Sequence, residues 1–235
     1  MTDLHTHILP KMDDGAQSTE ISLQMLRREF DDGVDTVALT PHFYRNTEHT
    51  SDFLSRRRCS YEHLMNVIHS LPSTEQARLP HIILGAEVSW FADLVQMPDL
   101  DKLCYADTRF LLVEPPFCPW DDGFFNQMYD LMNCTGITPV IAHVDRYWSI
   151  ERESQLDALF SLHVPVQLSA EALLHFSTRR RALRLIDAGK VQMIVSDAHN
   201  MTERPPKMKQ AYEVMRRKHI NSAVFDKLMP CNDLT

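Results

Sequence analysis

The sequence predicts a parallel α/β fold, and a barrel more readily than an open sheet. Three observations carry this. Apolar, strand-like runs alternate with amphipathic helical stretches about seven times along 235 residues, the order in which βα units build a parallel sheet. Seven units within one domain, residues 1–235, suit a barrel of this length. Strand after strand ends in His, Asp or Glu, and in α/β barrels the active site sits at the C-terminal strand ends.

Composition narrows the class. The chain is 44% hydrophobic, yet no run approaches the roughly 18 to 20 apolar residues a membrane span needs. It is polar from residue 2, without a signal region, so a cytoplasmic protein is expected. Cys59, Cys104, Cys118, Cys134 and Cys231 are odd in number and form no C-x-x-C pair, which fits reduced structural thiols. A formal net charge of −8 speaks against nucleic acid held on a broad basic surface.

Asp3 to His7 reads as the first strand, and Pro10 with Asp13-Asp14-Gly15 as the turn after it. Ser18 is placed to cap a helix whose stripe, Ile21, Met25, Leu26 and Phe30, ends at Gly33. Residues 34–40 form the second strand and deliver His42, and 51–71 a long helix. The third and fourth strands, 82–88 and 110–114, carry Glu87 and Glu114 at their ends. Helix 121–135 stops at Gly136, and strand five, 139–143, ends in His143. Helix 151–162, strand six over 164–168 and helix 170–188 follow, the last closed by Gly189. Strand seven, 191–199, ends in Asp197-Ala198-His199, and terminal helices are expected over 207–218 and 222–228.

Five of twelve histidines, His5, His7, His42, His143 and His199, fall at these strand ends. The others, His49, His63, His69, His81, His163, His175 and His219, lie on helices, loops or strand starts and read as solvated or packed. Neutral imidazole and carboxylate are transition-metal ligands, and strand alternation puts His5 and His7 on one face. Glu87 and Glu114 end apolar runs, where a buried carboxylate needs a partner. Asp13 and Asp14 precede Gly15 as turn acids, and only one is needed at a metal. Arg146 and Arg204 belong on loops at the same mouth, where a planar guanidinium grips phosphate. The runs Arg56 to Arg58 and Arg179 to Arg181 read as solvated helix faces. Six residues beyond the first four cysteines stand Met65, Phe110, Phe124 and Val140, so the C-x5-R pattern of a cysteine phosphatase is missing.

Together D-L-H-T-H, T-P-H, G-A-E-V, A-H and S-D-A-H resemble the PHP (polymerase and histidinol phosphatase) superfamily of metal-dependent phosphoesterases. The closer likeness is to the bacterial PHP-type protein tyrosine phosphatases encoded with capsule and exopolysaccharide genes. It is carried by His5 to Pro10 with Asp13 to Ala16, by Ala142 to Tyr147, and by Ser196 to Asn200 with Arg204-Pro205-Pro206. The resemblance implies a distorted (β/α)7 TIM-like barrel, up to three divalent ions, commonly manganese, with iron or zinc as alternatives, and phosphotyrosine on a bacterial tyrosine autokinase as substrate. It implies one metal on His5, His7, Glu87 and Asp197, a second on Glu87, Glu114 and His143, and a third on Asp14, His42 and His199. Arg146 and Arg204 would bind phosphate. Val144, Asp145, Phe43 and Ala86 depart from the family pattern without removing a ligand.

The implied chemistry is attack on phosphorus by a hydroxide that two or more ions activate. The leaving phenolate has a conjugate acid pKa of about 10 and needs little acid help; His199 or a metal-bound water would supply the proton. The alternatives are a PHP phosphoesterase acting on a small monoester such as histidinol phosphate, and a non-catalytic regulator that binds the kinase tail.

Overall fold

The computed structural model describes residues 1–218; His219, Cys231 and the expected helix 222–228 lie outside them. Among the described residues nine strands are all paired in parallel: β1 (Thr2–Thr6), β2 (Thr36–Leu39), β3 (His42–Phe43), β4 (His81–Leu84), β5 (Glu87–Ser89), β6 (Phe110–Glu114), β7 (Thr138–Ile141), β8 (Gln167–Ser169) and β9 (Met193–Val195). They form three sheets, ordered β1-β2-β4, β3-β5-β6-β7 and β8-β9. Isolated bridges join Thr6 to Ala198 and Ile141 to Val166. The continuous barrel ladder that the sequence suggests is therefore met as a mixed α/β fold with parallel sheets.

The expected second strand is shorter and is followed by a separate short strand, the expected third is split in two, and the sequence contains the reason. Pro41 has no N–H to donate to a ladder, so β2 stops at Leu39 and β3 resumes at His42. Gly85 and Ala86 break the neighbour opposite. Backbone bonds still cross the gap, with Gly85 N donating to Leu39 O at 3.0 Å and Glu87 N to Pro41 O at 3.1 Å.

The helices are α1 (Thr19–Asp31), α2 (Thr50–Ser70), α3 (Ser73–Gln76), α4 (Asp122–Asp130), α5 (Glu153–Phe160), α6 (Ala170–Leu174), α7 (Phe176–Asp187) and α8 (Met208–Arg217). Ser18 caps α1 through the Ile21 N–H, as expected. The helix expected over 121–135 ends early in a wider π-type turn, Leu131–Thr135, closed by Gly136 at φ 68°. The helix expected over 170–188 splits at His175, which is extended. The Arg179 guanidinium satisfies the last α6 carbonyls, Leu173 O and Leu174 O, at 2.7 and 2.6 Å, so α6 can end without a helical continuation. Arg57 is likewise no solvated residue: it donates to Gly85 O and Lys102 O, and burial lowers its pKa to about 10.

Two apolar clusters divide the interior. The larger, including Val37, Leu39, Leu111, Val113, Ile141 and Ile194, packs strands on helices. The smaller gathers Leu4, Ala38, Ile83, Leu112, Val140, Ala142, Met193 and Val195 around Tyr105. Alternate residues of β2, β6 and β7 thus face opposite ways. No helix among the described residues is long and apolar enough to cross a membrane.

Candidate metal centre

The inner face determines which side chains reach the site. Counting by twos from Ala38, Ile83, Leu112 and Val195 leads to His42, Glu87, Glu114 and Asp197, so plain alternation delivers four of the predicted residues. Two others need an irregularity. Leu4 already lies in the inner cluster, so an ideal strand would turn His5 away. Between Asp3 and Thr6, β1 carries one residue more than β2, where Val37 and Leu39 are the partners; such a bulge re-aims side chains. Ala142 is also inner, and His143 follows it with φ 24°. Asp197 has φ 53°. Non-glycine residues rarely occupy this region, and they concentrate at functional sites.

All nine predicted metal residues meet in one cluster. Glu87 is fully buried at its centre. Its Oε2 lies 3.1 Å from His5 Nε2, 3.3 Å from His7 Nε2 and 2.9 Å from His42 Nδ1, while Oε1 lies 2.8 Å from His143 Nε2. Asp197 Oδ1 is 3.5 Å from both His5 Nε2 and His7 Nε2. Glu114 Oε1 is 3.6 Å from His143 Nε2. Asp14, exposed on the first loop, brings Oδ1 to 3.7 Å from His42 Nε2 and 3.5 Å from His199 Nε2. Three donor groups converge closely enough to share an ion: His7, Asp14, His42 and His199; His5, His7 and Glu87; His42, Glu87 and Glu114.

Outward-facing bonds set the tautomers. Gln167 Oε1 is 2.9 Å from His5 Nδ1, Asp13 Oδ2 is 2.7 Å from His7 Nδ1, and the Asp197 carbonyl is 2.9 Å from His199 Nδ1. With each Nδ1–H donated outward, the Nε2 lone pairs face the centre. The sequence singled out Asp14; the structure shows Asp13 doing separate work. Its carboxylate also accepts from the His42 and Gly15 amides, and Gly15 fits only because a Cβ would stand 2.1 Å from His7 O. Gln167 had no predicted role. Its one sequence signal is a polar residue in the run Val164 to Leu168.

Charge is arranged to match. Burial pushes the Glu87 carboxyl up, but His5, His143 and His42 outweigh it and hold the group well below its ordinary value. Asp197 is held low against burial by His5, His7 and Arg146. Burial opposes charge on His5 and His7, yet Glu87 and Asp197 raise the first, and Asp13 chiefly raises the second. Burial and the nearby His7 push His199 down to about 3, so its ring is neutral at neutral pH. Both predicted arginines are present: Arg146 Nη2 and Arg204 Nη2 donate to Asp197 Oδ2, the latter at 2.7 Å.

The donor set fits divalent ions. Ligand nitrogens about 2.1 Å from one ion sit roughly 3.0 to 3.4 Å apart at right-angled or tetrahedral geometry, and His5 Nε2 and His7 Nε2 are 3.2 Å apart. Glu87 Oε2, Asp197 Oδ1, His42 Nδ1 and His199 Nε2 are buried without any aligned hydrogen-bond partner. Buried polar atoms are normally paired, so atoms that crowd together without pairing are suited to a shared cation.

Parallel sheets that gather five imidazoles and four carboxylates at their strand ends and the first loop define an α/β protein with a candidate metal centre. Known proteins make the class specific. The chain belongs to the CpsB/CapC family of capsular polysaccharide synthesis, whose model matches residues 1–233. It is 30% identical over 224 residues to the tyrosine-protein phosphatase YwqE of Bacillus subtilis, covering 92% of this chain and 84% of that one. It is 26% identical over 234 residues to the tyrosine-protein phosphatase CpsB of Streptococcus agalactiae serotype III, covering 92% and 90%. A crystal structure from the work on YwqE and on CpsB of Streptococcus pneumoniae, described as unique metal-dependent tyrosine phosphatases, matches with TM-score 0.78 at 26% identity, over 96% of this chain and 90% of that one.

Proposed function

We propose that this chain is a metal-dependent tyrosine-protein phosphatase acting on a bacterial tyrosine autokinase that controls capsular or exopolysaccharide synthesis. The observation that carries the reading is the Glu87 carboxylate among His5, His7, His42 and His143, with Oε2 buried and without an aligned hydrogen-bond partner. His5, His7, Glu87 and Asp197 would hold one ion, Glu87 and Glu114 with His143 or His42 a second, and Asp14, His42 and His199 a third. Manganese is the ion we expect. Divalent ions in such a site supply Lewis acidity and a water of lowered pKa.

The chain's own groups do the rest. Arg146 and Arg204 turn from Asp197 to the phosphoryl oxygens and neutralise their developing charge. The surrounding histidines favour the charged form of Glu87, and His199, neutral with its Nδ1–H on the Asp197 carbonyl, presents a lone pair at Nε2. That is a ligand's protonation state. A phenolate leaving group, with a conjugate acid near pKa ~10, departs without a strong acid.

Residues 1–235 are read as one domain and its sheets as a distorted (β/α)7 barrel. The bridges Thr6 to Ala198 and Ile141 to Val166, and one inner cluster shared by six strands, support this. A cytoplasmic location follows from the proposed substrate.

The test is hydrolysis of a phosphotyrosine peptide by the purified chain, before and after chelation and manganese re-addition, with histidinol phosphate in parallel. Activity lost on chelation, restored by manganese and spared by thiol blockers is expected. A loaded enzyme that hydrolyses only histidinol phosphate would sink the assignment.

A further inference from the structure

The loops around the metal centre carry an unusual share of the exposed apolar surface. Five large apolar side chains are exposed among the described residues: Tyr44, Phe117, Tyr129, Phe176 and Met201. Scattered singly, such residues need no explanation. Three of the five, however, follow site residues at the C-terminal strand ends: Tyr44 comes two after His42, Phe117 three after Glu114, and Met201 two after His199.

Two of them are built into aromatic stacks that rest on the site. The Tyr44 ring stacks on His42, centroids 5.1 Å apart and planes 26° apart. Phe117 lies 5.2 Å from Tyr147, which in turn stacks on His143 at 6.2 Å and 17°. Phe117 is 63% exposed, but its loop is pinned. The Tyr147 hydroxyl donates to Pro115 O at 2.6 Å, and Trp120 Nε1 donates to Pro116 O at 3.3 Å. Tyr44 is held by a turn in which the Thr47 amide and hydroxyl both donate to its carbonyl, at 3.0 and 2.9 Å. An exposed ring on a fixed loop is costly to hydrate and inexpensive to dock against, since little conformational freedom remains to be lost.

We infer that Tyr44 and Phe117 form an aryl subsite that receives the phenyl ring of the substrate while its phosphate sits at the metal centre. The inference rests on the phosphatase reading and adds the residues that select an aryl ester over an alkyl one. Tyrosine's ring offers both face and edge, and aromatic pairs prefer the offset and edge-on contacts that such rims provide. A serine or threonine phosphate would bring the phosphoryl group to the same place and leave both rings wet. Discrimination follows from the lost contact.

The experiment compares the manganese-loaded full chain with Tyr44→Ala, Tyr44→Phe and Phe117→Ala. Phe176→Ala and Tyr129→Ala serve as controls at exposed rings away from the site. Two ratios are read. One is kcat/KM for a phosphotyrosine peptide over the same peptide carrying phosphoserine. The other is calorimetric affinity for phenylphosphonate over methylphosphonate. We expect each alanine variant at the rim to lower both ratios about 3- to 10-fold, Tyr44→Phe to keep them, and the controls to keep them. Circular dichroism and metal content exclude misfolding as the cause. Ratios unmoved in Tyr44→Ala and Phe117→Ala, with the parent still hydrolysing phosphotyrosine, would overturn the subsite and leave the phosphatase standing. A parent that turns over no aryl phosphate would overturn both.

Discussion

Removing the acceptor behind His5 tests the site without touching a ligand. Gln167 Oε1 stands 2.9 Å from His5 Nδ1, and both residues are fully buried. Gln167→Leu leaves the imidazole a buried N–H with no partner, which costs about 1 to 3 kcal/mol. It also frees the ring to adopt the other tautomer, which would point a proton at the metal. At about 1.4 kcal/mol per tenfold, that range corresponds to roughly 5- to 150-fold in metal affinity. Changes to groups that orient a metal-binding His typically cost about 10- to 100-fold, so the two routes agree. The assay is calorimetric titration of manganese into the chelator-stripped full chain. Gln192→Ala is the control, because Gln192 Oε1 also accepts a hydrogen bond, from the Val166 amide, but touches no histidine. It should lower Tm and leave metal affinity alone. A Gln167→Leu dissociation constant within twofold of the parent would refute the claim that this bond sets the His5 tautomer.

Asp13→Asn should cost roughly 1.5 to 3 kcal/mol at pH 7 in the metal-free chain, the scale of a hydrogen bond to a charged group. The Asp13 carboxyl is buried, which opposes its charge, but His7 lowers its pKa below the ordinary value. Its contribution is therefore complete above about pH 4 and lost as the pH falls further, so the denaturation midpoints of parent and variant should converge in acid. Gly15→Ala places a Cβ 2.1 Å from the His7 carbonyl oxygen and 2.5 Å from its Cβ. Overpacking against a fixed neighbour costs about 1 to 3 kcal/mol, so both Tm and manganese affinity should fall; an unchanged Tm would show that the loop yields freely. Arg146→Ala and Arg204→Ala should each lower kcat/KM by about 10²- to 10³-fold, the usual cost of removing a group that stabilises transition-state charge. Losses under threefold in both would remove the arginines from phosphate binding.

Much of the site was legible from one-dimensional pattern because strands alternate with period two. Once apolar runs are recognised, a His or Glu at a strand end has a predictable face, and this holds for His42, Glu87, Glu114 and Asp197. The sequence by itself determined the parallel α/β class, the residues available as ligands, and the helix ends at Ser18 and Gly189. Tertiary structure decided what alternation cannot. The extra residue in β1 and the positive φ of His143 turn two imidazoles inward, and neither has a local sequence signal. The choice between Asp13 and Asp14 depended on which carboxylate reaches His7 Nδ1, and the role of Gln167 on a partner 162 residues away. Likewise Gly85 and Ala86 split one expected strand, while Arg179 ended a helix through contacts set by the chain around it. Local propensity is written residue by residue; the pairing of buried donors with distant acceptors is settled only when the whole chain has packed.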